Sequence, residues 1–158
     1  MKLACTFAQL AIVGLAVSSF AITSAAQEKQ VTAKDVPAAV INAFKTAYPH
    51  ATIRGYAREK ENGKVFYEIE SREGTMTRDV LYNPDGSVFE IEESVAPSDL
   101  PAEVQEAVRK QYPKAVITKA EKTTAGDKVS YEVSARLGRK RISMELDSSG
   151  KVLNRKSK

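Results

Sequence analysis

Two glutamates, Glu68 and Glu132, sit in nearly identical text, "KVFYEIESR" over residues 64–72 and "KVSYEVSAR" over 128–136. Paired carboxylates can divide general-acid and general-base work across one bond when they lie about 5 to 10 Å apart. These two occupy equivalent places in two copies of one pattern, so the way the copies join sets their separation. Arg72 and Arg136 nearby offer both of them ordinary ion pairs.

Other chemistry is thinner still. Nucleophilic catalysis needs a base to activate the nucleophile, and the chain has one histidine, His50. It falls in a turn where the second copy has Lys114, which marks it as a surface residue. With one histidine and a single cysteine, Cys5, the ordinary zinc and copper sites cannot be assembled from one chain. "NPDG" at 83–86 with Asp79 could be a fragment of a calcium loop, but Leu81 stands at the first ligand position and the tetrapeptide reads first as a type I turn. The glycines lie singly in turns, so no phosphate-cradling loop is present. These residues predict no enzyme, no cofactor and no metal.

The elements that carry these residues form a repeat. Sliding the chain by 64 aligns residues 37–88 with 101–152 without a gap, and 16 of the 52 pairs are identical, among them Tyr48 with Tyr112, Pro49 with Pro113, Tyr67 with Tyr131 and Gly86 with Gly150. A unit of about 60 residues is long enough for a small α+β module. Each unit opens with a helix, "DVPAAVINAFKTAYP" or "DLPAEVQEAVRKQYP", in which Asp35 or Asp99 can cap free amides and Pro49 or Pro113 stops the chain. Val36, Val40, Ala43, Phe44 and Ala47, with Leu100, Val104, Ala107, Val108 and Gln111 in the second copy, make one apolar stripe.

Beyond the helix the period becomes two, and turn signals cut each unit into four strands of an antiparallel meander. Asn62-Gly63 is the strongest hairpin signal, because both residues tolerate positive φ. Val65, Tyr67 and Ile69 share the face a helix can cover, and Phe66, Glu68 and Glu70 share the other. Tyr67 and Tyr131 are expected in the core with their hydroxyls at the rim. The spacings Ile53 to Tyr56 and Ile117 to Ala120 break the period and predict bulges.

Residues 1–26 read as a secretory signal peptide: Lys2, the run "LACTFAQLAIVGLAVSSFAI", then "TSAA", with cleavage after Ala26. An uncleaved membrane anchor is the alternative. Cys5 has too short a run before it for lipidation. Cleavage leaves no cysteine, hence no disulfide. The predicted organisation is a signal at 1–26, an N-terminal segment at 27–35, a first module at 36–93, a linker at 94–99, and a second module with a basic tail at 100–158, the tail "NRKSK" being expected to lack order.

Charge divides unevenly between the units. Residues 36–93 carry 7 basic and 10 acidic side chains, net −3, and residues 100–158 carry 14 and 7, net +7. The whole chain has 24 basic and 20 acidic residues, too slight an excess to indicate nucleic acid.

The proline-started helix ending in "YP", the "GKVFYEIESREG" and "DKVSYEVSARLG" strand text and the closing "NPDGSVFEI" and "DSSGKVL" hairpins resemble the PepSY-like domain of secreted and periplasmic bacterial proteins. The tandem is similar in architecture to the β-lactamase inhibitor protein fold, where two helix-plus-four-strand modules join into one concave eight-stranded sheet. That resemblance implies binding of a protein or peptide on the open sheet face, in the periplasm or outside the cell, and control of an extracytoplasmic enzyme. The inhibitor's cysteines are missing, so its target is not implied. The residues expected to meet the partner are Phe66, Glu68, Glu70, Leu81, Arg136 and Arg141, apolar groups rimmed by charge. The alternative is an envelope protein binding a small anion or ion near "RLGRKR". No membrane contact after cleavage and a monomer or homodimer complete the expectations.

Overall fold

The structure, a computed structural model, describes residues 27–157; the expected signal peptide lies outside them. Two ten-residue helices, α1 (Ala38–Ala47) and α2 (Ala102–Gln111), accompany nine strands: β1 (Gln27–Gln30), β2 (Thr52–Glu61), β3 (Lys64–Glu73), β4 (Met76–Tyr82), β5 (Val88–Ser94), β6 (Val116–Ala125), β7 (Lys128–Leu137), β8 (Lys140–Asp147) and β9 (Val152–Ser157). All nine pair antiparallel in chain order, so one sheet runs through both copies. The two copies meet where β5 pairs with β6, from Ile91 opposite Thr124 to Ser94 opposite Glu121.

This is the expected α+β tandem with one strand more than predicted, and the tail "NRKSK", expected to lack order, is corrected: Asn154–Ser157 lie in β9, paired with β8. Gln27–Gln30, expected as part of a plain N-terminal segment, pairs with β2 from Lys60 to Ala57. Four residues without an apolar face give no strand signal of their own; the free edge of β2 is what orders them.

The helices begin later than their caps suggest. Asp35 does not cap α1: it closes a 3-10 turn, Ala33–Asp35, by accepting the Thr32 amide at 3.0 Å and the Thr32 hydroxyl at 2.8 Å. Asp99 ends the matching turn Pro97–Asp99. Pro37 and Pro101 occupy the cap positions instead, and Tyr48 and Tyr112 end the helices with their amides donating to Phe44 and Val108 carbonyls at 2.8 Å. The apolar stripe also ends differently. Ala47 and Gln111 are exposed, and the half-buried Tyr48 and Tyr112 close the packing.

Each helix covers its own strands, and the result is two cores. The first holds Val36, Val40, Phe44, Ile69, Val80 and Tyr82; the second holds Leu100, Val104, Val108, Ala120, Val133, Ala135, Ile142, Met144 and Leu146. Burial of each large side chain contributes about 1.5 to 3 kcal/mol. Tyr67 and Tyr131 pack at the core margins as expected. Asn62 and Gly63 have φ of 50° and 79°, the tight turn that the dipeptide predicts. The bulges fall between Ile53 and Gly55 and between Ile117 and Lys119. Among the described residues no helix is long and apolar enough to cross a membrane.

The first core has a polar corner that the second lacks. Arg78 is buried beneath α1, its guanidinium 4.1 Å from the Tyr48 ring centroid; Nε donates to Glu93 at 2.7 Å, while Nη1 lies 3.6 Å from the Glu73 carboxylate, too far for a hydrogen bond. That nitrogen and the Tyr82 hydroxyl have no hydrogen-bond partner among the described residues. Burial pushes the Tyr82 phenol up to about 12. The second copy has Ile142 in place of Arg78 and Ala135 in place of Ser71, both in its core. A buried ion pair is often replaceable by apolar groups of similar volume, whereas deleting one partner is costly. Arg78→Ala is therefore expected to cost about 2 to 3 kcal/mol, and Arg78→Ile with Glu93→Ser, the residue types that pair at the equivalent place in the second copy, to stay within about 1 kcal/mol of the parent. Urea denaturation of the three proteins checks this, and equal losses in both variants would refute it.

Candidate functional site

The helices cover one face of the sheet, and the alternation of each strand delivers a different set of side chains to the other. One row crosses both copies on this open face: Gly55, Glu70, Asp79, Glu92, Thr123, Ser130 and Asp147 stand opposite one another in turn. A second row in the first copy runs Gln30, Ala57, Glu68, Leu81 and Glu90. Gly55 leaves room for Glu70, whose carboxylate would lie 3.0 Å from a Cβ built there. Gln30 donates to that carboxylate at 3.2 Å.

These rows make an acidic trough of 130 Å³ lined by Glu59, Glu68, Asp79, Leu81, Glu90 and Glu92. Burial, then the charges of Glu59, Asp79 and Glu28, push the Glu68 carboxyl up to about 8. Burial and Glu121 push Glu92 up to about 7. Glu59, Asp79 and Glu90 are raised as well, burial being the main cause in each. Glu68 therefore keeps its proton at neutral pH, first because burial disfavours its charged form and then because the neighbouring carboxylates oppose it. Among the described residues no group of three or more His, Cys, Asp or Glu side chains is arranged to hold a metal ion.

The second copy is different. Arg136 on β7 stands opposite Arg141 on β8, and both are exposed. With Lys119 and Lys156 they line a cavity of 610 Å³. Lys119 is ion-paired with Glu121 at the border between the basic and acidic regions. Glu132 accepts a hydrogen bond from the Ser143 hydroxyl at 2.8 Å. It lies four strands from Glu68, about 19 Å along the sheet, so the two carboxylates do not converge on one bond.

The six residues expected to meet a partner all lie on the open face, in two groups rather than one. Glu68, Glu70 and Leu81 belong to the acidic region, and Arg136 and Arg141 to the basic cavity. Phe66 corrects the expectation of an exposed side chain: it is 3% exposed, although no helix among the described residues covers it. Its ring packs on Phe89, centroid to centroid 4.3 Å. A bulge between Leu81 and Tyr82 makes Phe89 the extra residue on β5 and turns it onto this face.

A family described as "Putative beta-lactamase-inhibitor-like, PepSY-like" matches the chain over two overlapping stretches, residues 22–89 and 66–154. The chain belongs to this PepSY-like family. Two solved structures share the fold. A protein described as periplasmic from Bacteroides eggerthii superposes with a TM-score of 0.64 at 16% identity, over 77% of this chain and 88% of that one. A BLIP-like protein from Bacteroides fragilis superposes with a TM-score of 0.59 at 20% identity, over 77% and 86%. None of these descriptions denotes an enzyme. No curated protein matches the chain.

Within this PepSY-like tandem, sequence reasoning missed Phe89, Glu90, Glu92, Lys119 and Lys156. A signal for Phe89 was present. Val88-Phe89 and Val152-Leu153 are adjacent apolar pairs at equivalent positions, and such a pair breaks the period of two just as Ile53 to Tyr56 does. The acidic trough had none, because Glu59 and Glu68 come together through strand register rather than sequence spacing.

Proposed function

We propose that this PepSY-like protein is a non-enzymatic periplasmic protein that binds a protein or peptide on its open sheet face and through it regulates an extracytoplasmic enzyme. The observation that carries the reading is that, among the described residues, one face of a nine-stranded sheet has no helix over it, yet is shaped by cavities and by a stacked aromatic pair. A face built only to meet water does not need a buried phenylalanine. The expected signal peptide and the periplasmic description of the Bacteroides eggerthii structure support the location. The opposed charges of the two copies would orient a partner and speed its encounter.

The test is capture of extracytoplasmic protein by the immobilised chain and by an Arg136→Glu, Arg141→Glu variant. Both arginines are exposed, so the variant is expected to keep the parent circular dichroism and melting temperature. A protein retained by the parent and released by the variant supports the reading. Identical retention, or none by either, overturns it.

One observation favours a second reading. Arg136, Arg141, Lys119 and Lys156 around 610 Å³ could hold a small anion without any protein partner. A ligand that binds only the folded state raises the melting temperature, by about 2.7 kcal/mol of added stability at a hundredfold excess over Kd. Thermal shift with phosphate, citrate and nucleotide would expose such a site, and no shift at tens of millimolar would remove it.

A further inference from the structure

The duplication lets one copy report what the other lacks. In the first copy the open face is closed at one end by Phe66 stacked on Phe89. Shifted by 64 residues, Phe66 becomes Ser130 and Phe89 becomes Leu153. The backbone is the same in both copies: Glu59 pairs with Phe66 as Thr123 pairs with Ser130, and Leu153 is the extra residue of a bulge between Glu145 and Leu146, as Phe89 is between Leu81 and Tyr82. Where the first copy holds a benzyl group, the second has a hydroxymethyl.

The space left is a cavity of 680 Å³. Ala125, Val129, Ser130 and Leu153 line it, and Leu153 is 50% exposed, an apolar side chain with no counterpart to Phe66 above it. Five carboxylates line the same cavity against one base, Lys128. Two of them have partners already: Glu132 accepts from Ser143, and Asp147 from the Ser149 hydroxyl at 2.6 Å and the Lys151 amide at 3.1 Å. Glu90 from β5 and Glu145 from β8 line the cavity and accept no hydrogen bond among the described residues.

Building on the open-face reading above, we propose that this cavity receives one aromatic side chain of a bound peptide, seated on Leu153 where the first copy seats Phe66, with lysine or arginine beside it facing Glu90 and Glu145. The ring supplies the apolar contact that Leu153 lacks, and the flanking cations pair with two carboxylates that have no partner among the described residues. The basic cavity at Arg136 and Arg141 lies on the same face and rejects those cations, so the charge distribution places the basic segment at one end only.

Capped pentapeptides KKFKK, KKAKK and EEFEE, titrated into the 15N-labelled protein, test it by amide chemical shift. KKFKK is expected to move the amides of Val129, Ser130 and Leu153. KKAKK is expected to bind at least about tenfold more weakly, since a buried phenyl ring is lost, and EEFEE to leave these amides still. Ser130→Phe, which gives the second copy its own ring, should abolish the KKFKK shifts and raise the melting temperature. If that variant packs poorly, Leu153→Ser, at a half-exposed position, should abolish them without unfolding. Equal binding of KKFKK and KKAKK, or undiminished binding to both variants, overturns the proposal. Shifts confined to the Glu68 trough or to Arg136 overturn it and leave the open-face reading standing. No shift of any open-face amide overturns it too, while the capture experiment decides the broader reading separately.

Discussion

Gly150→Ala is expected to cost about 3 kcal/mol or more of folding stability. The residue sits in the turn between β8 and β9 with φ at +81°, and a Cβ there would land on the Glu103 carbonyl oxygen and 2.9 Å from its carbon. That carbonyl belongs to the first turn of α2, so the added methyl would push the helix off its strands. Gly86 meets the Ala39 carbonyl of α1 in the same way, its Cβ position 2.8 Å from the oxygen. Gly63 separates the two contributions. It has φ of +79° with nothing within 4 Å, so Gly63→Ala should lose only the backbone cost of about 1 kcal/mol. Urea midpoints measure all three, and a Gly150→Ala midpoint no lower than that of Gly63→Ala would show that the helices do not depend on these turns.

The protein is expected to be more stable at pH 5 than at pH 8.5. The Glu68 carboxyl is raised from 4.5 to about 8 and that of Glu92 to about 7, so the folded state holds protons that the unfolded chain has released. Their contribution is complete below about pH 4.5, erodes as pH rises, and is gone once both folded values are passed. Both side chains are partly open to solvent, so the loss is on the order of 1 to 2 kcal/mol rather than the full value of the shifts. Asp35, Asp85 and Asp147 act in the opposite sense. Thr32, Ser87 and Ser149 respectively hold them below the usual range by hydrogen bonds, so their contribution disappears in strong acid. A Glu68→Gln, Glu92→Gln variant should match the parent at pH 5 and exceed it at pH 8.5. Melting temperatures at the two pH values would decide it, and parallel curves for parent and variant would refute proton retention in the trough.

The helices, the hairpins and the two-faced strands could be read from the sequence because each follows from local periodicity, and the duplication doubled the signal. Tyr67, Ile69 and Val80 have the alternation that sends them under α1. Phe66 shows the limit: alternation gave its face correctly but not its burial, which depends on a bulge on β5 more than twenty residues away. The burial of Arg78 had no signal in the sequence, because nothing local says that an arginine goes beneath a helix. The continuity of the two copies depends on β5 meeting β6 across the segment read as a linker, where only the final sheet decides the partner.

Strand order that matches chain order has a kinetic meaning. Every strand pairs with its immediate predecessor, so no backbone ladder has to wait for a distant part of the chain. Pairing between chain neighbours favours faster folding than a sheet of the same size with crossovers, and the growing edge is always the strand most recently made. A chain emerging from its amino end can complete the first helix and its strands before the second copy arrives, then extend the sheet from β5 as a template. The same serial order lets the last strands fray while the first copy stays intact, so protection against hydrogen exchange should decline toward β9.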